Sequence, residues 1–465
     1  MSTTQNGKLE RGLGLTEATA LNMIDMIGIG PFVVVGIVIQ DMGGPQGLLA
    51  WVAGAALAMV DGFIWAELGA AMPLAGGSYV FLREAYGPQR WGRLMSFLFI
   101  WQTMFQAPLV MASAAIGFGE YFMYLMPLTP GEERMVRGAL IIFLVFLLYR
   151  RITTIGKISV AIWIGVMGTM LWLIWGGVTH FNSKLVFDFP EGAWDLSWLF
   201  FAGLGAATVR TIYTYLGYYN VCHLGAEIKD PERNIPRSIF ISIAGIAVLY
   251  LLMQTSILGV VPWQEAAQSK FVVSLFVERI YGSTAAMFAT VMILWVAFGS
   301  LFSLSLGYSR IPYAAAVDGQ FFSVFARVHP TKHFPHVSLL TLGAVAFVFA
   351  MLFRMRDVIS AILAMRILVQ FIGGALAVVA LRRQRGTEHL PYRMPLYPLP
   401  VILVVAGWLA ILFSTGSITL GGVKVHYWVA GTTVTSLGAL VFLARAKALR
   451  EWPFAERKAN ADERG

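Results

Sequence analysis

Two glycines and a proline interrupt an apolar stretch near the amino terminus, in the string M-I-G-I-G-P-F from Met26 to Phe32. Glycine and proline destabilise a helix interior, but proline is favoured at the first position of a helix, where its missing N–H is not needed. The string therefore predicts that one half-helix ends near Gly28 and a second begins at Pro31. Such a break leaves N–H groups at the positive end of a helix dipole, which attract a carboxylate, and carbonyl oxygens, which accept from an ammonium.

A second interruption runs from Leu216 to Tyr219, with the sequence L-G-Y-Y. Both interruptions fall in segments apolar enough to cross a membrane, where irregular backbone is tolerated only if it is buried in protein or lines a cavity. Two such breaks in corresponding places of two halves indicate a transporter binding site, and a packing notch or a simple kink is the alternative for either break alone. Together the breaks suit a zwitterion.

Three ionisable residues in or beside the apolar segments are candidates for binding a proton or a charged ligand: Asp25, Asp61 and Lys157. Acidic residues inside a membrane are costly and are functional by default. Asp25 can be a proton site, or it can pair with Arg210 or Arg366, which also lie inside predicted helices. Lys157 lies near a predicted helix start, so its alternative is to extend its ammonium to the membrane surface.

Residues for enzymatic or metal chemistry are few. The seven histidines lie mostly in predicted loops without a paired ligand spacing, the chain has one cysteine, and no C-x-x-C or H-E-x-x-H motif is present. We therefore expect no catalytic site, no metal site and no cofactor. No filter string or repeated ring of charge is present, which disfavours a channel.

The elements that must position these residues are membrane helices. Of 465 residues, 58% are apolar and 13% are charged, against roughly a quarter charged in a soluble domain. Because about 20 apolar residues cross a bilayer, a chain with a mean hydropathy of +0.70 is a polytopic membrane protein. The apolar runs predict twelve helices over 20–41, 47–71, 92–126, 137–149, 155–178, 196–226, 237–260, 284–317, 338–353, 357–381, 398–417 and 426–446.

The net charge of +9 would fit nucleic acid or anionic lipid, and the positions of the basic residues decide between these and an orientation signal. With twelve spans both termini lie on one side, which carries 24 of the 34 lysines and arginines, while the other side carries 8. This asymmetry places both termini in the cytoplasm and explains the basic excess without nucleic acid. No polar segment is long enough for a separate soluble domain, so we expect one membrane domain.

Four spaced strings resemble the amino acid–polyamine–organocation superfamily, in particular its amino acid permeases and L-type amino acid transporters. They are A-E-L-G-A-A-M-P-L-A-G-G-S-Y-V-F-L-R-E-A-Y-G-P from Ala66 to Pro88, A-E-I-K-D-P-E-R-N-I-P-R from Ala226 to Arg237, the pair S-R-I-P-Y-A-A-A-V-D-G (Ser309 to Gly319) and F-A-R-V-H-P (Phe325 to Pro330), and Y-R-M-P-L-Y-P-L-P from Tyr392 to Pro400. The resemblance implies an all-α fold of twelve spans, built as a five-plus-five inverted repeat of the LeuT type with helices 1 and 6 broken.

The implied divisions of the single transmembrane domain (1–465) are a cytoplasmic tail, two inverted repeats, two further helices and a second tail. Their ranges are 1–17, 18–178, 196–381, 394–446 and 447–465. The resemblance further implies secondary active, sodium-independent transport of amino acids across the plasma membrane, by proton symport or by exchange. It implies no disulfide-linked heavy chain, because Cys222 lies within predicted helix 6.

The resemblance also implies which residues bind substrate. The backbone of the first break would take the α-carboxylate, and carbonyls of both breaks would take the α-amine, with one aromatic residue as a gate and another beside the second glycine. The carboxylate residues are Gly28, Ile29, Gly30 and Phe32, the carbonyls lie near Ile27, Tyr213, Thr214 and Gly217, and the aromatic residues are Tyr213 and Tyr218. The lysine similar to Lys157 occupies the place of a sodium ion in sodium-coupled relatives, so Lys157, with Asp25 and Asp61, is a candidate for coupling.

Two departures leave a polyamine or organic-cation carrier of the same superfamily as the alternative. Pro31 stands where amino acid permeases usually have a small or β-branched residue, and it removes one N–H donor. The Gly-Pro-Phe sequence with Asp25 and Asp61 is similar to the polyamine branch, but the acidic residue of that branch in the helix 6 break is absent, since Tyr219 stands there.

Overall fold

The chain folds predominantly into helices, as predicted. The computed structural model describes residues 11–74, 76–149, 155–330, 334–388, 390–420 and 423–454. The α-helices are α1 Leu15–Met26, α2 Gly30–Met42, α3 Leu48–Ala71, α4 Ser78–Ala85, α5 Gly92–Leu125, α6 Pro130–Leu148, α7 Ile155–Thr179, α8 Ser183–Val186, α9 Trp198–Tyr215, α10 Pro231–Leu258, α11 Trp263–Gln268, α12 Val272–Tyr281, α13 Ser283–Tyr308, α14 Arg310–Val317, α15 His336–Leu352, α16 Met355–Arg366, α17 Gly373–Arg385, α18 Leu399–Ser414 and α19 Tyr427–Ala448.

The described residues also form shorter helical turns and one β-hairpin. The 3₁₀ turns are Pro45–Gly47, Asn220–His223, Gly225–Glu227 and Ser323–Ala326, and the π-helical turns are Gly87–Trp91 and Ile367–Ile372. An antiparallel hairpin of β1 Ser417–Leu420 and β2 Val423–His426 pairs Ser417 with His426. Sequence periodicity did not predict this hairpin, which lies between two apolar helices.

Six helical stretches of the described residues are long and apolar enough to cross a bilayer. They are Pro45–Ala71, Gly87–Leu125, Pro231–Leu258, Ser283–Phe302, Met355–Arg385 and Tyr427–Ala448. The bent pair α1 and α2 makes a seventh when taken as one span, and three shorter apolar helices are Ile164–Thr179, His336–Leu352 and Leu399–Ser414. These stretches establish a multi-pass membrane protein, while the count of twelve spans stays a prediction.

The helix predicted over 196–226 ends early, so that prediction is wrong beyond Tyr215. Leu216 has an extended backbone with ψ of 135°, and Gly217 has a φ of 132°, a left-handed region that favours glycine. Short turns, two of them 3₁₀, and a bridge between Ile228 and Leu13 follow until α10 begins with Pro231 at its first position. Proline suits that position because it lacks the N–H that would be unpaired there. The predicted helix 284–317 is likewise divided, at Ser309.

Two groups of packed helices surround the interrupted segments. In one group α3 packs against α10 and α9, and α2 packs against α9. In the other group the long, mostly buried α5 packs against α13, α15 and α16. The breaks at residues 27–29 and 216–219 therefore lie between a group that contains the half-helices and a group built on α5.

Candidate functional site

The first break leaves two backbone donors without a partner. α1 ends at Met26, α2 begins at Gly30, and the two helix axes differ by 51°. The Gly28 N–H bends back to the Met26 carbonyl at 3.0 Å, and the Phe32 N–H donates to the Ile29 carbonyl at 3.1 Å. No acceptor within the described ranges takes the N–H of Ile29 or Gly30. These two donors sit at the positive end of the α2 dipole.

The second break lies directly against the first. A Cβ atom on Gly217 would come within 3.0 Å of the Asp25 carbonyl carbon and 3.0 Å of the Met26 nitrogen. Because those neighbours are backbone atoms, they cannot rotate away as a side chain would. Only glycine at this position allows the two irregular segments to approach so closely, and its positive φ requires glycine as well.

Fixed polar side chains already bind several carbonyl oxygens of the breaks. The Tyr250 hydroxyl lies 2.7 Å from the Met26 oxygen and 3.1 Å from the Thr214 oxygen, so one donor joins the end of α1 to the end of α9. The Tyr121 hydroxyl donates to the Phe32 oxygen at 2.8 Å. These bonds hold the ends of α1 and α9 and the first turn of α2 in place beside the breaks, as buried polar groups require.

A cavity lies where the two breaks meet. Its volume is about 60 Å³. Seven of the predicted site residues line it: Asp25, Gly28, Ile29, Gly30, Tyr213, Thr214 and Gly217. Four do not: Ile27, Phe32, Tyr218 and Asp61. The backbone of Lys157 lies at the start of α7, and its side chain is outside the described residues.

Asp61 is bound away from the cavity by three donors. Its carboxylate accepts from the Trp65 ring N–H at 2.6 Å, the Tyr218 hydroxyl at 2.5 Å and the Trp408 ring N–H at 3.2 Å. The residue is completely buried. Asp61 therefore joins α3, the second break and α18, and the Tyr218 hydroxyl is used by this contact.

Asp25 lines the cavity without an ionic partner in the described part of the chain. Its carboxylate accepts from the Asn220 side-chain amide at 2.9 Å. Neither arginine that sequence reasoning offered as a partner pairs with it. Arg210 lies 3.5 Å from the Asp41 carboxylate, which Arg356 also contacts at 3.1 Å, so this cluster joins α9, α2 and α16.

Arg366 is a cavity residue that sequence reasoning did not assign to the site. It is the last residue of α16, followed by the π-helical turn, and only 6% of it is exposed. Its two terminal nitrogens donate to the Tyr219 hydroxyl at 2.5 Å and the Tyr308 hydroxyl at 2.7 Å. Its Nε has no hydrogen-bond partner among the residues that the structure describes. The signal available from sequence was a lone arginine in an apolar segment, which is functional by default.

The strings that carry the family resemblance contact one another outside the cavity. Glu67 from the first string forms a bidentate ion pair with Arg382 at 2.6 Å and accepts from the Met394 N–H of the fourth string at 2.7 Å. Tyr79 donates to Asp318 of the third string at 3.4 Å, and burial raises the pKa of Tyr79 to about 12. These contacts support a structural role for the strings.

The amino acid permease family matches residues 13–436 of the chain. The chain belongs to the amino acid permease family. It is therefore a membrane transporter and not an enzyme, as predicted from the sequence.

Individual members of this family are similar over most of the chain. The serine/threonine exchanger SteT of Bacillus subtilis is 27% identical over 428 residues, 89% of this chain and 93% of that protein. Cationic amino acid transporter 4 of Mus musculus is 26% identical over 409 residues, which are 82% of this chain and 61% of that protein. The human cystine/glutamate transporter is 23% identical over 444 residues, 90% of this chain and 85% of that protein.

Proposed function

We propose that the protein carries amino acids across the plasma membrane by alternating access, as a sodium-independent proton symporter or exchanger. The observation that carries the proposal is the cavity at the two breaks, lined by Ile29 and Gly30 with their unpaired N–H groups. Two N–H groups at a helix N-terminus match an α-carboxylate. The amino acid substrates named for SteT and the cystine/glutamate transporter support the same class.

The proposed carboxylate site is smaller than the sequence suggested. Pro31 has no N–H, and the Phe32 N–H is used inside α2. We therefore assign the α-carboxylate to Ile29 and Gly30, with Gly28 contributing space, and the α-amine to carbonyls near Ile27, Tyr213, Thr214 and Gly217. Tyr213 is the proposed gate, with its hydroxyl 2.7 Å from that of Ser113. Asp25 and Lys157 are the proposed coupling residues, whereas Asp61, also predicted for coupling, is bound by Trp65, Tyr218 and Trp408 outside the cavity.

A polyamine carrier is the less favoured candidate because of Arg366. This guanidinium lines the cavity and pairs with no carboxylate of the described residues. A dication in the same small cavity would face a like charge in a medium that screens poorly. A zwitterion has no net charge and therefore meets less of this repulsion.

We further propose that the chain has twelve spans, of which the first ten form a five-plus-five inverted repeat with the predicted ranges. Both termini are proposed to lie in the cytoplasm. The packing of α3 against α10, the second spans of the two proposed repeats, supports the repeat arrangement. Alternating access requires the two helix groups to move relative to each other, so that the cavity opens to one side of the membrane at a time.

The test is a thermal-shift screen of the purified protein against amino acids, putrescine, spermidine and agmatine. A ligand that binds the folded state raises the apparent melting temperature by mass action. We expect stabilisation by compounds with both an α-carboxylate and an α-amine. Stabilisation by spermidine alone, with no effect of any amino acid, would refute the proposal.

A further inference from the structure

The cavity holds a cation with neutral partners only. Arg366 is buried in the lining, and its terminal nitrogens donate to the hydroxyls of Tyr219 and Tyr308. Hydroxyls satisfy single N–H groups but do not neutralise a charge. A guanidinium has five N–H donors, and these two bonds use two of them. The Nε of Arg366 has no hydrogen-bond partner in the described part of the chain. A buried cation without a counter-charge is expensive, and a site that retains one is prepared for an anion.

No carboxylate of the described residues serves as that anion. Asp25, the other charged residue of the lining, accepts a hydrogen bond from Asn220, and no ion pair joins it to Arg366 in the described part of the chain. The carboxylates of Asp41 and Glu67 are paired with other arginines. A ligand in the cavity is therefore the available source of an anion for Arg366.

The ligand already has one anion site elsewhere. The proposed function assigns the α-carboxylate to the N–H groups of Ile29 and Gly30 at the start of α2, whereas Arg366 belongs to α16. Both elements line the same cavity. A ligand with a single carboxylate can occupy one of these sites, and a ligand with two carboxylates can occupy both.

We propose that the substrates are acidic α-amino acids, whose side-chain carboxylate binds Arg366. This inference rests on the proposed function and narrows its substrate class. Guanidinium and carboxylate match as planar, bidentate partners. Neutral amino acids leave Arg366 uncompensated, and basic amino acids bring a second cation beside it.

The experiment measures binding to the purified full chain by isothermal titration calorimetry, using L-aspartate against L-asparagine and L-glutamate against L-glutamine. The amide of each pair has nearly the shape of the acid and lacks its charge. We expect wild type to bind the acid about 10- to 150-fold more tightly, the range for a hydrogen bond to a charged group. An amide that binds as tightly as its acid in wild type would overturn the proposal.

Variants distinguish the effect of the Arg366 charge from the effect of its hydrogen bonds to the tyrosines. Arg366→Gln should remove the preference for the acid and change amide binding by less than about threefold, and Arg366→Lys should retain a preference. Tyr308→Phe removes a hydrogen bond but keeps the cation, so the acid-to-amide ratio should persist. Arg279→Gln, in an exposed ion pair with Glu265, is the matched control and should leave both affinities unchanged.

The outcomes distinguish this inference from the proposed function. Equal losses for acid and amide in Arg366→Gln would show that Arg366 only supports the tyrosines, and would overturn the inference. Neutral amino acids that bind wild type more tightly than acidic ones would also overturn it and leave the proposed function intact. If no amino acid binds wild type, both fail. If Arg366→Gln does not fold, the wild-type ratio and Arg366→Lys decide.

Discussion

Gly30→Val should abolish binding while the protein stays folded. A Cβ atom at Gly30 would lie 3.1 Å from both Thr214 Cγ2 and Tyr213 Cε1, closer than the optimal separation of about 3.5–4.0 Å between carbon atoms. Alanine would require the Tyr213 ring to move by a few tenths of an ångström. Valine adds two further methyl groups, which would overlap with the Tyr213 ring and with a carboxylate bound at the N–H groups of Ile29 and Gly30.

The magnitude follows from the two N–H groups that this change blocks. A hydrogen bond to a charged group contributes about 1.5–3 kcal/mol, so the loss of both costs about 3–6 kcal/mol. At 1.4 kcal/mol per tenfold change, the affinity falls by about 10²- to 10⁴-fold. The overpacking itself should lower the free energy of unfolding by about 1–3 kcal/mol.

Isothermal titration calorimetry against the best amino acid of the screen measures the affinity, and the melting temperature without ligand reports folding. Gly168→Val is the matched control, because a Cβ atom at Gly168 on α7 meets no atom of the described residues within 4 Å outside the neighbouring backbone of its own helix. It should bind as wild type does. Wild-type affinity in a folded Gly30→Val protein would refute the assignment of the carboxylate to this break.

Three further predictions concern charged residues. Lys157→Ala should leave the protein folded but remove the pH dependence of transport or the trans-stimulated exchange, measured in liposomes at several external pH values. Asp25→Asn should change the rate or the coupling in the same assay while neutral amino acids still compete, because backbone groups hold their charged ends. Glu67→Gln should lower the free energy of unfolding by about 3–5 kcal/mol, because it strands the guanidinium of Arg382 beside a neutral amide, whereas Arg279→Ala in an exposed pair should cost at most about 1 kcal/mol.

Each of these predictions has an outcome that contradicts it. If the rate, pH profile and counterflow are unchanged in Lys157→Ala, Lys157 has no role in coupling, and the alternative holds that its ammonium extends to the membrane surface. A loss of all amino acid binding in Asp25→Asn would make Asp25 a ligand for the substrate amine. A melting temperature in Glu67→Gln equal to that of wild type would show that the buried ion pair contributes little.

Local rules made the break in the first helix predictable from sequence. Glycine and proline act within about one turn of where they stand, so M-I-G-I-G-P-F predicts the end of α1 and the start of α2 without knowledge of any neighbour. The membrane class and the helical content follow from composition and apolar run length for the same reason. The second break was placed at the correct glycine, but the helix predicted beyond it does not form.

Contacts between distant parts of the chain decided the rest. The sequence predicted both Asp61 and Tyr218 as site residues. In the structure they bind each other by a hydrogen bond, although they are 157 residues apart in the chain, and neither lines the cavity. Arg366 reaches the cavity only because α16 packs beside α9 and α5. The packing of the helices decides which polar residues line the same cavity. The residue types and spacing along one helix do not specify which helices pack against it. The sequence by itself therefore determined where the backbone breaks, and the tertiary structure determined which charges meet at the breaks.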